Sequence, residues 1–381
     1  MNEKPETHTK YLIDPEALDA LLDRLKGEGF TLIGPRLRDD TIVYDEISCL
    51  DDLPKGWTDE HEAGTYRLRK RTDGAYFGYN LGPQSWKQFL HPPKLRLWRA
   101  ERKDKGFEVI EDDPETIKYA FIGVRPCELA ALSIQDRVFM GDQHTESHYA
   151  NKRRSTFVFA VNCSQAGKTC FCASMGTGPS ARSGYDLCLT EIIKSGTHRF
   201  VVDAGSDKGR QMLEGLTGDA ADDELLTYCV EQSRRAEQSM IRHLDHEKLG
   251  DAILRNPEHP RWTQVADRCL CCANCTLVCP TCFCTTVEDT TDLTGDHAER
   301  WRQWDSCFNL EFSHISGGSV RTTGKSRYRQ WLTHKLATWR LQFGTSGCVG
   351  CGRCITWCPV GIDLTEEAAA LGSPSTHESV P

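Results

Sequence analysis

Apolar positions recur along the first 250 residues with both helical and strand periods. Leu18, Leu21, Leu22 and Leu25 step at helical spacing behind Asp14-Pro15, a typical helix start, and predict a helix that ends near residues 27–29. Helical patterns also cover 127–137 and 208–216. Short apolar runs bounded by turn residues predict strands at 30–33, 41–44, 66–69, 119–124, 156–161 and 199–202. This part of the chain is therefore predicted to be a mixed α/β domain.

The pattern changes after a polar stretch at 256–260. Twelve of the nineteen cysteines lie between Cys269 and Cys358, and the clearest amphipathic helix is predicted at 326–343, where apolar residues step by three and four. We therefore expect an α+β protein with a mixed α/β domain over 1–255, a mainly helical cysteine-rich domain over 256–370 and a disordered tail over 371–381.

Charge and hydropathy exclude several classes of protein. The net charge of −9 argues against a general nucleic-acid binder. The longest apolar stretches fall far short of the roughly 20 residues that a membrane span needs, and the first ten residues are too polar for a secretory signal. We therefore expect a cytoplasmic protein without a membrane span. A reducing compartment disfavours disulfides, so this many thiols indicates metal ligands.

Two cysteine runs of identical spacing are the strongest signal in the chain. Each reads C-x2-C-x2-C-x3-C-P, a spacing typical of bacterial ferredoxins, in which the fourth cysteine ligates the other cluster. The runs predict two 4Fe-4S clusters in a ferredoxin-like dicluster domain with a long insertion. The first cluster would be held by Cys269, Cys272, Cys275 and Cys358, and the second by Cys348, Cys351, Cys354 and Cys279.

Other interpretations of these thiols stay open. Cysteines at this spacing also suit a pair of structural zinc sites, although zinc modules usually bring their ligands as separated pairs. Cys271 is out of step with the first run, and we predict that it is not a ligand. Between the runs, Cys282, Cys284 and Cys307 either form a further metal site or pack as small apolar side chains.

A second group of cysteines lies in the N-terminal domain. Cys127 and Cys163 each follow a predicted strand, and Cys170 and Cys172 form a Cys-x-Cys pair in a glycine-rich loop. These four thiols predict a third 4Fe-4S cluster, with Glu128 as the next candidate ligand if Cys127 stays apart. The alternative is a set of buried or reactive structural thiols, and Cys49, Cys188 and Cys229 are expected in the core.

The segment from 312 to 362 contains no acidic residue and seven basic ones. We expect it to lie beside the dicluster and to form part of a partner interface. The alternatives are a solvated helix face, and cations that stabilise the reduced clusters and raise their potential. No complete phosphate or dinucleotide loop occurs, and no catalytic acid, base or nucleophile is apparent.

Longer motifs resemble those of the 4Fe-4S dicluster family. They include Gly78-Tyr-Asn-Leu-Gly-Pro, Gly123-Val-Arg-Pro-Cys-Glu, Cys170-Phe-Cys-Ala-Ser-Met-Gly and Cys279-Pro-Thr-Cys-Phe-Cys. The family holds the beta subunits of cytosolic NADP-linked nickel-iron hydrogenases, also called sulfhydrogenases, and the A subunit of anaerobic sulfite reductase. The likeness runs from about residue 11 to residue 363.

This resemblance implies an electron-transfer subunit without a substrate site of its own. Its partners would be a flavin-containing subunit that meets NAD(P)H and a catalytic subunit, first a hydrogenase and second a sulfite reductase. Two other classes remain as alternatives: a thiol redox enzyme that uses Cys127 or Cys163, and a zinc-bound scaffold.

Overall fold

A mixed eight-stranded sheet forms the centre of the N-terminal half. The computed structural model describes residues 10–373 apart from 81, 105, 111–116, 142–143, 195 and 217. In chain order the strands are β1 Tyr11–Ile13, β2 Thr31–Arg38, β3 Thr41–Glu46, β4 Trp57–Glu62, β5 Thr65–Lys70, β6 Lys94–Lys103, β7 Gly106–Ile110, β8 Tyr119–Val124, β9 Phe157–Val161, β10 Leu187–Lys194, β11 Thr197–Ala204, β12 Asp219–Ala220, β13 Thr285–Thr291, β14 His297–Trp304, β15 His314–Ile315 and β16 Gly318–Ser319.

Helices cover the sheet, and helical residues outnumber strand residues in the C-terminal part, which also carries the strands β13 to β16. In chain order they are α1 Pro15–Gly27, α2 Lys87–Leu90, α3 Pro126–Phe139, α4 Ser147–Ser155, α5 Asp207–Leu213, α6 Asp223–Gln238, α7 His246–Arg255, α8 Arg261–Arg268, α9 Asn274–Leu277, α10 Gly324–Thr333, α11 Trp339–Phe343, α12 Arg353–Thr356 and α13 Leu364–Gly372. None of the helices in the described part of the chain is both long and apolar enough to cross a membrane.

The large sheet has the order β12-β1-β11-β10-β9-β8-β2-β3. Its four central strands, β10, β9, β8 and β2, run parallel, and the outer pairs are antiparallel. Side chains of β9 alternate between two apolar cores. Phe157 and Phe159 pack on the side of α1 and α5, whereas Val158 and Ala160 pack on the side of α2, α3 and α4. Helices on both faces explain why the central strands are apolar throughout.

A four-stranded antiparallel sheet joins the two halves of the chain. Its order is β13-β14-β6-β7, so a hairpin from the segment between the cysteine runs pairs with a hairpin from the N-terminal half. Segments on both sides of the predicted boundary at 255/256 therefore contribute strands to one sheet. The division into domains stays a prediction. Residues 374–381 of the predicted tail lie outside the described residues.

The fold is α+β, as predicted, and several elements match the sequence patterns. The predicted strand at 119–124 coincides with β8, and the helix behind Asp14 coincides with α1, whose N-terminal Ala17 donates to Asp14 Oδ1 at 2.8 Å. The predicted helix at 326–343 is α10 and α11 joined by a π-helical turn, His334–Thr338.

Candidate iron–sulfur centre

The two cysteine runs share one backbone conformation. In the first run Cys271 and Ala273 have positive φ angles of 52° and 68°, and in the second Gly350 and Gly352 have 66° and 77° at the equivalent positions. Cys271 N lies 3.4 Å from Cys269 Sγ, and Gly350 N lies 3.5 Å from Cys348 Sγ. The repeated spacing therefore encodes a repeated turn that aims backbone N–H groups at the first sulfur of each run.

Glycine is required in the second run and not in the first. A Cβ atom on Gly350 would lie 2.7 Å from the backbone N of Cys172, and one on Gly352 would lie 2.5 Å from Thr169 O. The loop that carries Cys170 and Cys172 thus presses directly on the second run. The first run tolerates the side chains of Cys271 and Ala273 although non-glycine residues rarely adopt this conformation.

Four cysteines that were predicted to share a cluster line one cavity. The cavity encloses about 460 Å³ of atom-free space, part of it open to solvent. Its walls include Cys269, Cys272, Cys275 and Cys358, together with Cys354, Phe308, Tyr328, Trp331 and Ile362. Cys272 is exposed, whereas Tyr328 and Trp331 are buried, and the Tyr328 hydroxyl and Trp331 Nε1 have no hydrogen-bond partner among the described residues. These orphaned polar groups beside four thiols fit a sulfur-rich cofactor, whose sulfurs accept hydrogen bonds.

The thiolate charges that act on Cys275 and Cys354 come mainly from the cysteines predicted to share their clusters. Burial raises the pKa of Cys275 well above its usual value, and the charges of Cys269, Cys358 and Cys272 raise it further. Burial likewise raises the pKa of Cys354, and there the largest neighbouring charges are those of Cys348, Cys351 and Cys279, with a smaller one from Cys275.

The structure therefore places Cys358 with the first run and Cys279 with the second. Whether the groups bind clusters in this crossed way stays a prediction. Within the described part of the chain, no group of three or more His, Cys, Asp or Glu side chains is arranged to hold a metal ion. The sulfurs around a cubane stand farther apart than those around one ion, because each iron binds one cysteine.

Cys279 differs from the other thiols of its group. A hydrogen bond from Cys282 and the charge of Lys335 hold the pKa of Cys279 well below its usual value, although burial opposes them. Lys335 Nζ lies 3.3 Å from Cys279 Sγ. Since iron binds the thiolate rather than the thiol, this environment favours the ligating form of Cys279.

The N-terminal cysteines converge at the carboxyl edge of the parallel strands. Cys127 follows β8 in the first turn of α3, and Cys163 follows β9. Burial raises the pKa of Cys127, and the charges of Cys172, Cys351 and Cys163 raise it further. Burial raises the pKa of Cys170 to about 12, with Cys163 and Cys351 as neighbours. The structure thus brings the four predicted residues together and adds Cys351 of the second run beside them.

Glu128, the alternative fourth ligand, is occupied by other contacts. Its Oε2 accepts hydrogen bonds from the Tyr44 hydroxyl at 2.8 Å and from Trp86 Nε1 at 3.0 Å. Its Oε1 lies 2.6 Å from Arg353 Nη2. The charged group beside Cys163 is instead the buried arginine Arg125. Its guanidinium donates to the carbonyl oxygens of Phe77 and Tyr79, each at 2.8 Å.

The thiols between the runs form hydrogen-bonded pairs. A hydrogen bond from Cys307 lowers the pKa of Cys284 to about 7, and Cys282 bonds to Cys279. Lys87, which is 4% exposed, donates to the carbonyl oxygens of Cys279 at 3.2 Å and Cys282 at 3.0 Å. The sequence did not single out Lys87, and it indicated Lys335 only as one of the seven basic residues of the acid-free segment, not as a buried side chain. The signal for Lys335 was its position on the apolar face of the helix predicted at 326–343.

The basic side chains of the acid-free segment find partners elsewhere in the chain. Arg329 Nη1 lies 3.0 Å from Glu258 Oε1, Lys325 Nζ lies 3.5 Å from the same carboxylate, and Arg340 Nη1 donates to His246 O at 2.8 Å. The segment does lie beside the cysteine groups, because it supplies Tyr328 and Trp331 to the cavity. Its role in a partner interface stays a prediction.

Comparison with known proteins agrees with this geometry. Residues 268–362 match the family model described as 4Fe-4S dicluster domain. Over 362 residues the chain is 28% identical to sulfhydrogenase 2 subunit beta from Pyrococcus furiosus, and the alignment covers 93% of this chain and 94% of that protein. No solved structure matches the chain significantly. The predicted resemblance is confirmed, and the dicluster domain indicates that the cofactors are iron–sulfur clusters.

Proposed function

We propose that the protein is an iron–sulfur electron-transfer subunit. It relays electrons between a flavin subunit that binds NAD(P)H and a catalytic subunit. The preferred catalytic subunit is a nickel-iron hydrogenase, and the second candidate is an anaerobic sulfite reductase. The similar protein from Pyrococcus furiosus is named as a sulfhydrogenase subunit, and nearly its full length aligns with this chain. The chain supplies the cluster ligands and the docking surfaces, and the substrate sites belong to the partner subunits. We place it in the cytoplasm.

One observation carries this proposal: the three cysteine groups stand in series. Cys351 of the second group is an electrostatic neighbour of Cys127, Cys170 and Cys172 in the N-terminal group. Cys275 of the first group is a neighbour of Cys279 in the second. The series begins in the N-terminal group, where Cys127 and Cys172 are buried, and reaches the surface at Cys272. Three redox centres in a row are what a relay needs, since each bound cluster accepts and passes on one electron.

The cofactor content follows from the same arrangement. Two 4Fe-4S clusters are assigned to the dicluster domain with the crossed ligand sets, and a third is assigned to Cys127, Cys163, Cys170 and Cys172. Support for the third comes from the packing of its loop, because Phe171 N donates to Gly350 O at 2.9 Å and Thr177 Oγ1 donates to Val349 O at 2.7 Å. The ligands of two centres are thereby held by one network of hydrogen bonds.

Iron and acid-labile sulfide analysis with electron paramagnetic resonance tests the proposal on anaerobically purified full-length protein. About twelve iron atoms per chain are expected for three clusters and about eight for two. Zinc in place of iron, in a colourless protein, contradicts the proposal and favours the scaffold. Cluster-free protein with a reactive Cys127 or Cys163 favours a thiol redox enzyme.

The native complex identifies the catalytic partner. Purified through an affinity tag on this chain, it should oxidise NADPH and evolve hydrogen while the clusters cycle between their oxidised and reduced signals. Reduction of sulfite without hydrogen evolution would instead assign the chain to an anaerobic sulfite reductase, as the electron-transfer component of that enzyme.

A further inference from the structure

Lys335 lies at an irregular point of an otherwise continuous helix. α10 and α11 are joined by the π-helical turn His334–Thr338, and Lys335 is the second residue of that turn. π turns are rare and often occur at functional sites, because they redirect side chains that a regular α-helix would place elsewhere. Here the turn carries a lysine into the interior, where only 3% of its surface is exposed.

The ammonium group of Lys335 has three partners for its three N–H donors. They are Cys279 Sγ at 3.3 Å, Thr281 Oγ1 at 3.1 Å and Gly347 O at 3.1 Å. The backbone of Lys335 also contacts Gly347, because Gly347 N donates to Lys335 O at 2.9 Å. Lys335 is therefore fixed between the last cysteine of one run and the start of the other.

No carboxylate compensates this charge. Among the residues that the structure describes, neither Lys335 nor Lys87 forms an ion pair with Asp or Glu. Burial of a lone ammonium is strongly unfavourable unless an anion stands nearby. The thiolates of the second cysteine group, with the net negative charge of a thiolate-ligated cluster, supply that anion.

The two cysteine groups of the dicluster domain differ in this respect. The described donors to sulfur in the first group are uncharged, such as the backbone N–H of Ile362, which lies 3.3 Å from Cys358 Sγ, and the Cys271 N–H beside Cys269 Sγ. The second group has a backbone donor at Cys348, the Arg353 guanidinium beside Cys351, and both the Thr281 hydroxyl and the Lys335 ammonium at Cys279 Sγ. Hydrogen bonds and positive charge at a ligating sulfur stabilise the reduced cluster and raise its potential.

We propose that Lys335 is a positioning residue that makes the cluster bound through Cys279 the higher-potential centre of the dicluster. It does so by a charged hydrogen bond to Cys279 Sγ. The proposal rests on the proposed function, since it requires a bound cluster. Electrons that enter the relay would then settle first on the middle centre of the series.

The test is a redox titration of the full-length protein, followed by electron paramagnetic resonance, with Lys335→Met, Lys335→Arg and Lys87→Met variants. The signal of the second cluster is identified by its loss in Cys279→Ala. In Lys335→Met the reduction equilibrium of this cluster should weaken at least tenfold, which is about 59 mV for one electron. The signal of the cluster bound through Cys358 should keep its potential. Lys335→Arg should retain most of the parent value, because the charge remains.

Lys87→Met is the matched control, because it removes a buried cation that contacts the carbonyl oxygen of Cys279 and not its sulfur. Its shift should be clearly smaller. Equal shifts in the two methionine variants, or an unchanged potential in Lys335→Met with full iron, overturn the proposal. If Lys335→Met loses iron, Lys335→Gln against Lys335→Arg decides it, with a lower potential expected for the neutral side chain. Absence of cluster signals from the parent itself would instead contradict the proposed function.

Discussion

Arg353 Nη2 lies 2.6 Å from Glu128 Oε1, and each side chain is 1% exposed. Arg353 stands between Cys351 and Cys354 of the second run, whereas Glu128 follows Cys127. Arg353 Nε also donates to Gly82 O at 3.0 Å. This ion pair therefore ties the dicluster domain to the N-terminal cysteine group, at the point where two of the proposed clusters approach each other.

Loss of one partner of this buried ion pair should lower the free energy of unfolding far more than loss of one partner of an exposed pair. We expect Glu128→Gln to destabilise the protein by about 3–5 kcal/mol, because it removes the carboxylate that forms an ion pair with the buried Arg353. Asp289→Asn, at the exposed pair with Arg300, should cost less than about 1 kcal/mol. Urea denaturation of the anaerobic protein checks both values. Equal midpoints for the two variants would show that the buried pair contributes nothing special.

The crossed assignment of ligands predicts which cluster each cysteine supports. Cys358→Ala should remove the signal of the cluster held by Cys269, Cys272 and Cys275, with a loss of up to about four iron atoms per chain. Cys279→Ala should affect the other signal. Cys271→Ala is the control, and its iron content should match that of the parent. If Cys358→Ala instead damages the cluster at Cys348, the assignment is wrong.

The N-terminal group predicts a third increment of iron. Cys170→Ala should lower the iron content from about twelve to about eight atoms per chain, because a cubane lacking one of four ligands is poorly held. Cys188→Ala provides a control, since Cys188 is a buried thiol within β10 that lies in the apolar core. Iron analysis of the two variants side by side checks the claim. Equal iron in both would remove the third cluster from the relay.

His91 predicts a pH dependence of stability. Burial and the charges of Arg302 and Lys87 lower its pKa to about 3, whereas the unfolded chain has the ordinary value near 6.5. As the pH falls below about 6.5, His91 binds a proton in the unfolded state but stays neutral in the folded state, so stability declines until about pH 3. At pH 5 the loss is about 2 kcal/mol.

Replacement of this histidine should flatten that decline. His91→Phe keeps an aromatic ring next to Phe139, and it breaks no hydrogen bond of the ring, because both nitrogens lack partners among the described residues. The melting temperature of the variant should therefore fall less than that of the parent between pH 7 and pH 5. Parallel declines would mean that His91 titrates normally in the folded protein.

Local spacing carried most of what could be predicted about the site. The eight cysteines of the two runs and the four N-terminal cysteines were all singled out from the sequence, because ligand spacing and strand ends are short-range patterns. That Cys271 is not a ligand stays a prediction, and its positive φ angle gives the residue another role. It occupies the place of Gly350 in the other run and shapes the turn.

Long-range partners could not be predicted in the same way. Nothing in the local pattern links Glu128 to Arg353, which is 225 positions away, or Lys335 to Cys279, which is 56 positions away. The four-stranded sheet β13-β14-β6-β7 was missed for the same reason, since its strands are polar and come from distant parts of the chain. The strand order of the large sheet likewise depends on which strands pair in the tertiary structure, and hydrophobic periodicity carries no information about that pairing.

The shared sheet also sets the timing of assembly during synthesis. Arg96 in β6 bonds to Glu299 in β14 at 2.8 Å, and 203 positions separate them. At a translation rate of about 5–20 residues per second, roughly 10–40 s pass before β6 meets this neighbour. The wait is longer for Cys127, which must be joined by the loop around Gly350 near the end of the chain. A nascent chain that has not yet reached Gly350 thus has one edge of β6 without its β14 partner, together with open thiols, and iron inserted at that stage would meet only part of the ligand set.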